Sequence, residues 1–478
     1  MGESLKNKTV KGTIWSTLER FSVQGIQFVV MIIMARLLTP EDYGLVGMLA
    51  IFIAVSQSLI DSGFSQALIR KQDRSEVDNS TVFYFNIGVG IILYFILFFS
   101  APLIADFYKE PQLIPITRAI GLSLVFNSLV VVQRALLTIK LDFKTQAKAS
   151  ATGAIVSGIL GIWMAYSGFG VWAIVWQQLS NLAVVTILLW ILSHWKPIWA
   201  YSWTSFKELF GFGSKLLASG LLETIYRNLY LIVIGKVFKA SDLGYYTRAH
   251  QFTDFASSNI TGIFQRVTYP VLCTIQDDDA RLADVYRRLL KTSAFIVFPL
   301  MMGMAAVARP MILSFLTEKW LFSAVIIEVL CFAQMWYPVH AINLNLLQVK
   351  GRSDLFLRLE IIKKIMGILI LCITLPLGLI PMCWGMFLGG IVGLIINTYY
   401  TGKLIHLGFI AQMRDLSPTL LLSLFVGAMV YFTVTILPLN SWIVLCIGVV
   451  EGVILYIGLA KLFKFPEYRE LITIIHRK

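Results

Sequence analysis

The chain has 478 residues, 57% of them hydrophobic and 14% charged, and a formal net charge of +13. At a mean hydropathy of +0.76 there is too little polar side chain to cover a water-soluble domain, which argues against a soluble enzyme or binding module. The composition instead reads as an all-α polytopic membrane protein.

Apolar stretches near the roughly 20 residues needed to cross a bilayer recur about fourteen times. Their cores are expected to begin at Gly12, Tyr43, Ser80, Ile114, Ala149, Phe169, Leu209, Leu243, Tyr286, Leu321, Leu355, Pro381, Leu416 and Ser441. The basic start, Met1 to Lys11, runs into an apolar stretch that lacks a small-residue cleavage site. Span 1 is therefore expected to be retained. With both termini in the cytoplasm, about 25 Lys and Arg fall in cytoplasmic joints and about six outside, the asymmetry expected of cytoplasmic retention. This topology accounts for the basic pI of ≈ 9.4 and leaves no call for a nucleic-acid partner. The longest polar joints, around Trp195 to Lys207 and Cys273 to Asp284, are about a dozen residues each, too short for a folded soluble domain. Trp195, Lys196 and Trp203 in the first of them suit a segment at headgroup level.

Read against itself at an offset of about 200 to 210, the chain repeats. Arg36-Leu-Leu-Thr-Pro-Glu-Asp42-Tyr-Gly44 matches Lys236-Val-Phe-Lys-Ala-Ser-Asp242-Leu-Gly244. Ala101-Pro102-Leu-Ile-Ala-Asp-Phe107 matches Arg309-Pro310-Met-Ile-Leu-Ser-Phe315, and Leu136-Leu137-Thr-Ile-Lys140 matches Leu346-Leu347-Gln-Val-Lys350. An even number of spans per copy makes the copies parallel repeats. Two six-helix lobes, 1–201 and 202–404, are expected, with spans 13 and 14 (405–478) as an addition.

Ionisable groups inside spans cost roughly 2.5 to 3.5 kcal/mol each on insertion scales, so their placement points to function. Span 1 carries Glu19, Arg20, Gln24 and Gln27 on a face about 140° wide. Span 7 carries Lys215, Ser219, Glu223, Arg227 and Asn228, the charges within about 120°. Span 8 carries Arg248, Gln251, Asp254, Ser258, Thr261, Gln265 and Arg266 on about half its circumference. Span 2 adds Gln57 and Asp61. The economical arrangement puts spans 1, 2, 7 and 8 around a wet cavity with a cationic surplus, fitted to an anionic ligand. Arg20, Lys215, Arg227, Arg248 and Arg266, with Gln24, are the candidates for binding it. Asp61, Glu223 and Asp254 are the candidates for coupling to Na⁺ or H⁺. The blander alternative is that Glu19 with Arg20, and Glu223 with Arg227, are internal ion pairs. His340 is either a packing residue or a proton site. The five cysteines show no metal spacing and no phosphate-binding loop occurs, so no cofactor or catalytic metal is expected.

Ala35-Arg36-Leu-Leu-Thr-Pro-Glu-Asp-Tyr43-Gly44, followed by Asp61-Ser-Gly63-Phe64-Ser-Gln-Ala-Leu-Ile69-Arg70, resembles the start of bacterial polysaccharide flippases, a branch of the multidrug/oligosaccharidyl-lipid/polysaccharide exporter superfamily. Gln133-Arg134-Ala-Leu-Leu, Leu141-Asp-Phe-Lys144, Gly168-Phe-Gly-Val-Trp172-Ala173 and Lys350-Gly-Arg-Ser353 extend the resemblance, which includes exporters of O-antigen and colanic-acid type. It implies a V-shaped pair of lobes in the bacterial inner membrane, moving a polyprenyl-diphosphate-linked oligosaccharide to the periplasmic leaflet. It also implies work beside a polysaccharide polymerase and other assembly enzymes. Multidrug export by the related branch is the alternative, although cationic drugs favour an acidic cavity. A membrane-embedded glycosyltransferase or polymerase would need catalytic carboxylates on a sizeable loop, so no enzymatic activity is expected.

Overall fold

A computed structural model describes residues 22–476, with the backbone alone for residues 215, 216, 263, 266, 267, 353 and 474–476. Every regular element among the described residues is helical. Among the described residues, eleven helical segments are long and apolar enough to cross a membrane. The other three expected spans fall on helices that do not meet that measure. These are α1 (Ser22–Leu37), which is described over a shorter apolar length, α10 (Ala240–Cys273), and α15 (Ser353–Thr374).

By contacts the chain divides after Gly244, whereas the repeat divides it after residue 201. The first unit holds α1, α2 (Pro40–Asp61), α3 (Phe64–Arg70), α4 (Glu76–Tyr108), α5 (Leu113–Ser128), α6 (Val131–Ile139), α7 (Phe143–Tyr166), α8 (Val171–Ser193), α9 (Trp203–Val237) and the first turn of α10. Local chemistry sets where these helices start. Thr39 and Asp42 form a reciprocal capping box at α2, with Pro40 in its first turn, and Ser75 and Asp78 do the same for α4. Each box satisfies backbone N–H groups that a helix start leaves without partners. Asp242 accepts the Lys239 N–H at 3.2 Å, so the two aspartates matched by the repeat both cap helix starts.

The matched glycines have a shared physical reason. A Cβ on Gly44 would stand 1.7 Å from the Ala240 carbonyl oxygen, and one on Gly244 1.8 Å from that of Pro40. Within the first unit, the opening turns of α2 and α10 therefore touch backbone to backbone in a reciprocal contact that only glycine permits. Further along α2, the chain breaks at Ser62 and Gly63, both with positive φ. There α9 crosses closely enough that a Cβ on Gly213 would lie 2.4 Å from the Ser62 carbonyl. Ser58 and Thr224 meet at 3.2 Å between these two crossings. The start of α9 is seated in a buried cluster of Phe64, Leu68, Phe83, Leu136, Trp195 and Leu209.

Trp195 departs from the interfacial reading of its segment. It is buried, and its indole donates to Glu76 at 2.6 Å, because its ring fills the gap between the ends of α4 and α8 against Phe83. The chain from 194 to 202 is tacked down further where Ile198 N–H donates to Ser80 Oγ and Ser202 N–H to Thr81 Oγ1, each at 3.0 Å.

The second unit holds the rest of α10, then α11 (Asp279–Ala306), α12 (Ala308–Phe315), α13 (Leu321–Gln334), α14 (Tyr337–Val349), α15, α16 (Leu379–Ile405), α17 (Phe409–Ile436), α18 (Ser441–Leu462) and α19 (Pro466–His476). The additional pair α17 and α18 is packed into this unit. Asn343 and Gln412 exchange amide hydrogen bonds at 3.0 and 3.1 Å, and the Thr401 hydroxyl donates to Asn343 at 2.8 Å. This buried cluster ties α14, α16 and α17 together. Tyr456 of α18 donates to the Phe295 carbonyl of α11 at 2.9 Å. Arg287 and Lys291 pair with Asp415, and Arg288 pairs with Glu470 of α19.

Candidate functional site

The polar residues singled out in the sequence are positioned by α1, α2 and α9 in the first unit and by α10 in the second. Arg20 lies outside the described residues, and the side chains of Lys215 and Arg266 are likewise not described. In α1, Gln24 is half-buried, and its Oε1 is enclosed without a hydrogen-bond partner among the described residues. In α9, Glu223 and Arg227 are both exposed. Beside them Thr224 faces Ser58 of α2, and Asn228 donates to the Thr224 carbonyl at 2.8 Å.

Arg227 lies in an apolar setting. Leu217–Val237 is the part of α9 apolar enough to cross a membrane, and Arg227 is its central residue. An exposed guanidinium at that depth cannot reach either headgroup layer as easily as one at a helix end. It needs water or an anion beside it, and its five donors suit phosphate oxygens.

Asp61 is half-buried at the end of α2 and turned to a local task. It accepts from the Ser65 hydroxyl at 2.5 Å and the Ser65 N–H at 3.4 Å, fastening the joint into α3. In α10, Arg248 and Asp254 are half-buried, and Ser258 donates to Asp254 at 3.4 Å. The structure separates the polar residues of α10 into two faces. Thr253, Ser257, Thr261 and Thr268 are buried. Ser257 donates to the Gln334 carbonyl at 2.8 Å, and Asn345 donates to Thr268 at 3.3 Å. Arg248, Gln251, Asp254 and Ser258 form the other face, which the structure leaves partly open. Thr261, grouped with the charged residues in the sequence, belongs to the packing face.

Sequence reasoning missed the Asn343, Thr401 and Gln412 cluster. Its only trace was polar residues in otherwise apolar stretches. His340 is held 3.0 Å from the Asn397 amide nitrogen through Nδ1, and Lys363 pairs with Glu360 one turn earlier at 2.5 Å. Both therefore have local partners inside the second unit.

Likenesses to known proteins bear on this fold and its polar helices. The chain is 25% identical to the teichuronic acid biosynthesis protein TuaB of Bacillus subtilis, over 90% of this chain and 89% of that protein. It is 25% identical to the lipopolysaccharide biosynthesis protein WzxC of Escherichia coli, over 83% of this chain and 80% of the relative. The inward closed structure of the lipid II flippase MurJ superposes on 96% of this chain and 100% of its own with a TM-score of 0.75, at 17% identity, which establishes a shared fold. The sequence profile described as polysaccharide biosynthesis protein matches residues 33–325. Spanning more than half the chain, with the same family of relatives along most of the remainder, that match makes this protein a member of the polysaccharide biosynthesis protein family.

Proposed function

We propose that the protein is a flippase that carries a polyprenyl-diphosphate-linked oligosaccharide from the cytoplasmic to the periplasmic leaflet of the bacterial inner membrane by alternating access. The observation that carries this reading is the exposed Arg227 at the centre of a membrane-length apolar segment. A guanidinium exposed to hydrocarbon is costly, whereas one lining a path for a diphosphate gains charge-assisted hydrogen bonds. The MurJ likeness supports the same reading, since that protein is named as a lipid II flippase. So do relatives named for teichuronic acid and lipopolysaccharide biosynthesis.

In this reading about fourteen helices span the membrane, and both termini are cytoplasmic. Residues 1–201 and 202–404 form the moving lobes, and 405–478 flanks them. Arg20, Gln24, Lys215, Arg227, Arg248 and Arg266 take the diphosphate and sugars during the crossing. Glu223 and Asp254 are the better candidates for coupling to Na⁺ or H⁺, because the hydrogen bonds of Asp61 to Ser65 already give it a structural role. The negative-inside potential, roughly 2.3 kcal/mol per charge per 100 mV, favours outward movement of an anion. Polysaccharide polymerase and the other assembly enzymes would act on the delivered glycan.

The test is genetic and chemical. Deleting the gene should leave the lipid-linked glycan on the cytoplasmic side, and the wild-type chain should restore export. Arg227→Gln should abolish export at normal membrane abundance, while Arg227→Lys, which keeps charge but loses the fork, should be intermediate. Normal export by the Gln variants of Arg20, Arg227 and Arg248, singly and together, would sink the assignment of these residues.

A further inference from the structure

The side of α4 that carries Ile91, Phe95 and Phe99 is an exposed apolar stripe, and the half-buried Tyr84 lies on the same side about two turns nearer the helix start. The strap 194–202 ends this stripe. Trp199 is 97% exposed yet stacks one ring face on Tyr84, with centroids 5.8 Å apart and planes 25° apart. Its other face is open. Beyond it, Trp203 stacks on Phe206 at 4.9 Å and Tyr201 lies 6.5 Å from Trp203, both with much of their rings exposed. Lys196 and Lys207 are exposed in the same segment, and the Lys207 ammonium stands 5.8 Å over Trp203.

This patch is held rigid from below. Trp195, Ile198 N–H and Ser202 N–H bind Glu76, Ser80 and Thr81. A mobile polar joint would have no reason to hold three large aromatic residues outward on such fixed backbone. Aromatic rings with one apolar face and one polar edge are at home at the headgroup boundary, and lysines beside them attract anionic phosphates. The patch also continues an apolar helix face that needs lipid, which fixes its height at the rim of the hydrocarbon layer.

We infer that residues 196–207 form a docking surface for anionic phospholipid headgroups, with Trp199, Tyr201 and Trp203 seated at the headgroup boundary and Lys196 and Lys207 engaging phosphates. Its role is to pin the first turns of α9 to the membrane plane, since Phe206 and Phe210 continue the same aromatic stack into that helix. The inference stands independently of what the protein transports.

The test uses the full chain in nanodiscs of phosphatidylcholine with or without phosphatidylglycerol. Native mass spectrometry would count phosphatidylglycerol retained on the protein, and Lys196→Gln with Lys207→Gln should lower retention by about fivefold per lysine. A spin label on Trp199→Cys, with the five native cysteines replaced by serine, reads depth. It should be more accessible to dissolved oxygen than to a water-soluble nickel chelate. Trp199 and both lysines are exposed, so their substitution leaves the packing beneath intact, and the cysteine-free chain with Trp199 in place is the reference for the spin-label arm. Unchanged retention, or chelate access as free as at an aqueous loop, would overturn the inference.

Discussion

Gly44 and Gly244 show how a single missing carbon sets the approach of two helices. Each faces a backbone carbonyl rather than the end of a flexible side chain, so an added Cβ cannot be accommodated by a rotamer change. The turns must move apart by about 1.5 Å, which overpacking results place at about 1–3 kcal/mol. Gly44→Ala should therefore lower the melting temperature of the purified protein by several degrees. Gly88→Ala is the control, because a Cβ there meets nothing within 4 Å and alanine is the better helix former. Equal melting of the two variants would refute the close contact. Lys71 illustrates the electrostatic counterpart. Its ammonium lies 2.9 Å from Glu208 and 3.3 Å from Asp78, and the hydrogen bond to Glu208 holds it above the usual lysine range despite partial burial. It stays charged and fastens the α3–α4 joint to the start of α9.

At the scale of elements, the buried amide cluster is what joins the added helix α17 to α14 and α16. Replacing Asn343 by Leu keeps the branched shape but strands the Gln412 Oε1, at roughly 1–3 kcal/mol for an unsatisfied group, whereas Gln412 Nε2 keeps the Leu407 carbonyl and Thr401 the Asn397 carbonyl. Adding Gln412→Leu removes the stranded group, so the double variant should melt above Asn343→Leu alone. Additive losses in this double-mutant cycle would show that the two amides are not coupled. Eleven of the fourteen expected spans were legible because hydropathy reports the length of each apolar run. The breaks between α2 and α3, α5 and α6, and α13 and α14 were not, since the apolar runs continue across them and hydropathy is blind to φ. The polar face of α10 was only half legible. A hydroxyl can satisfy itself on a carbonyl of its own or a neighbouring helix, so Thr253, Ser257 and Thr261 pack dry, whereas Arg248 and Asp254 lie on the face left partly open. The repeat exposed Asp42 with Asp242 and Gly44 with Gly244 as pairs. Their tasks, capping and contact, depend on tertiary neighbours that no spacing reveals.

For the whole molecule, the orientation in the bilayer can be argued from which basic residues share an end of the first unit. Lys71 bridges to Glu208 and Arg70 lies 4.5 Å over Phe212, which brings the α3–α4 joint and the start of α9 together. Lys196 and Lys207 belong to the same end through the strap bound to Ser80 and Thr81. Leu136 shares the buried cluster with Phe64, which brings Lys140 and Lys144 to this end as well. At the other end, Lys109 follows α4, and Lys236 donates to the Phe107 carbonyl with its ammonium 4.3 Å over the Phe107 ring. The richer basic end should be retained in the cytoplasm. Asp73 and Gln112 are exposed at opposite ends of α4, and neither takes part in the Lys71 bridges. In intact cells an impermeant thiol reagent should label Gln112→Cys from outside. Asp73→Cys should react only after the inner membrane is opened. The reverse pattern would invert the topology, while the negative-inside potential would still favour outward movement of an anionic substrate.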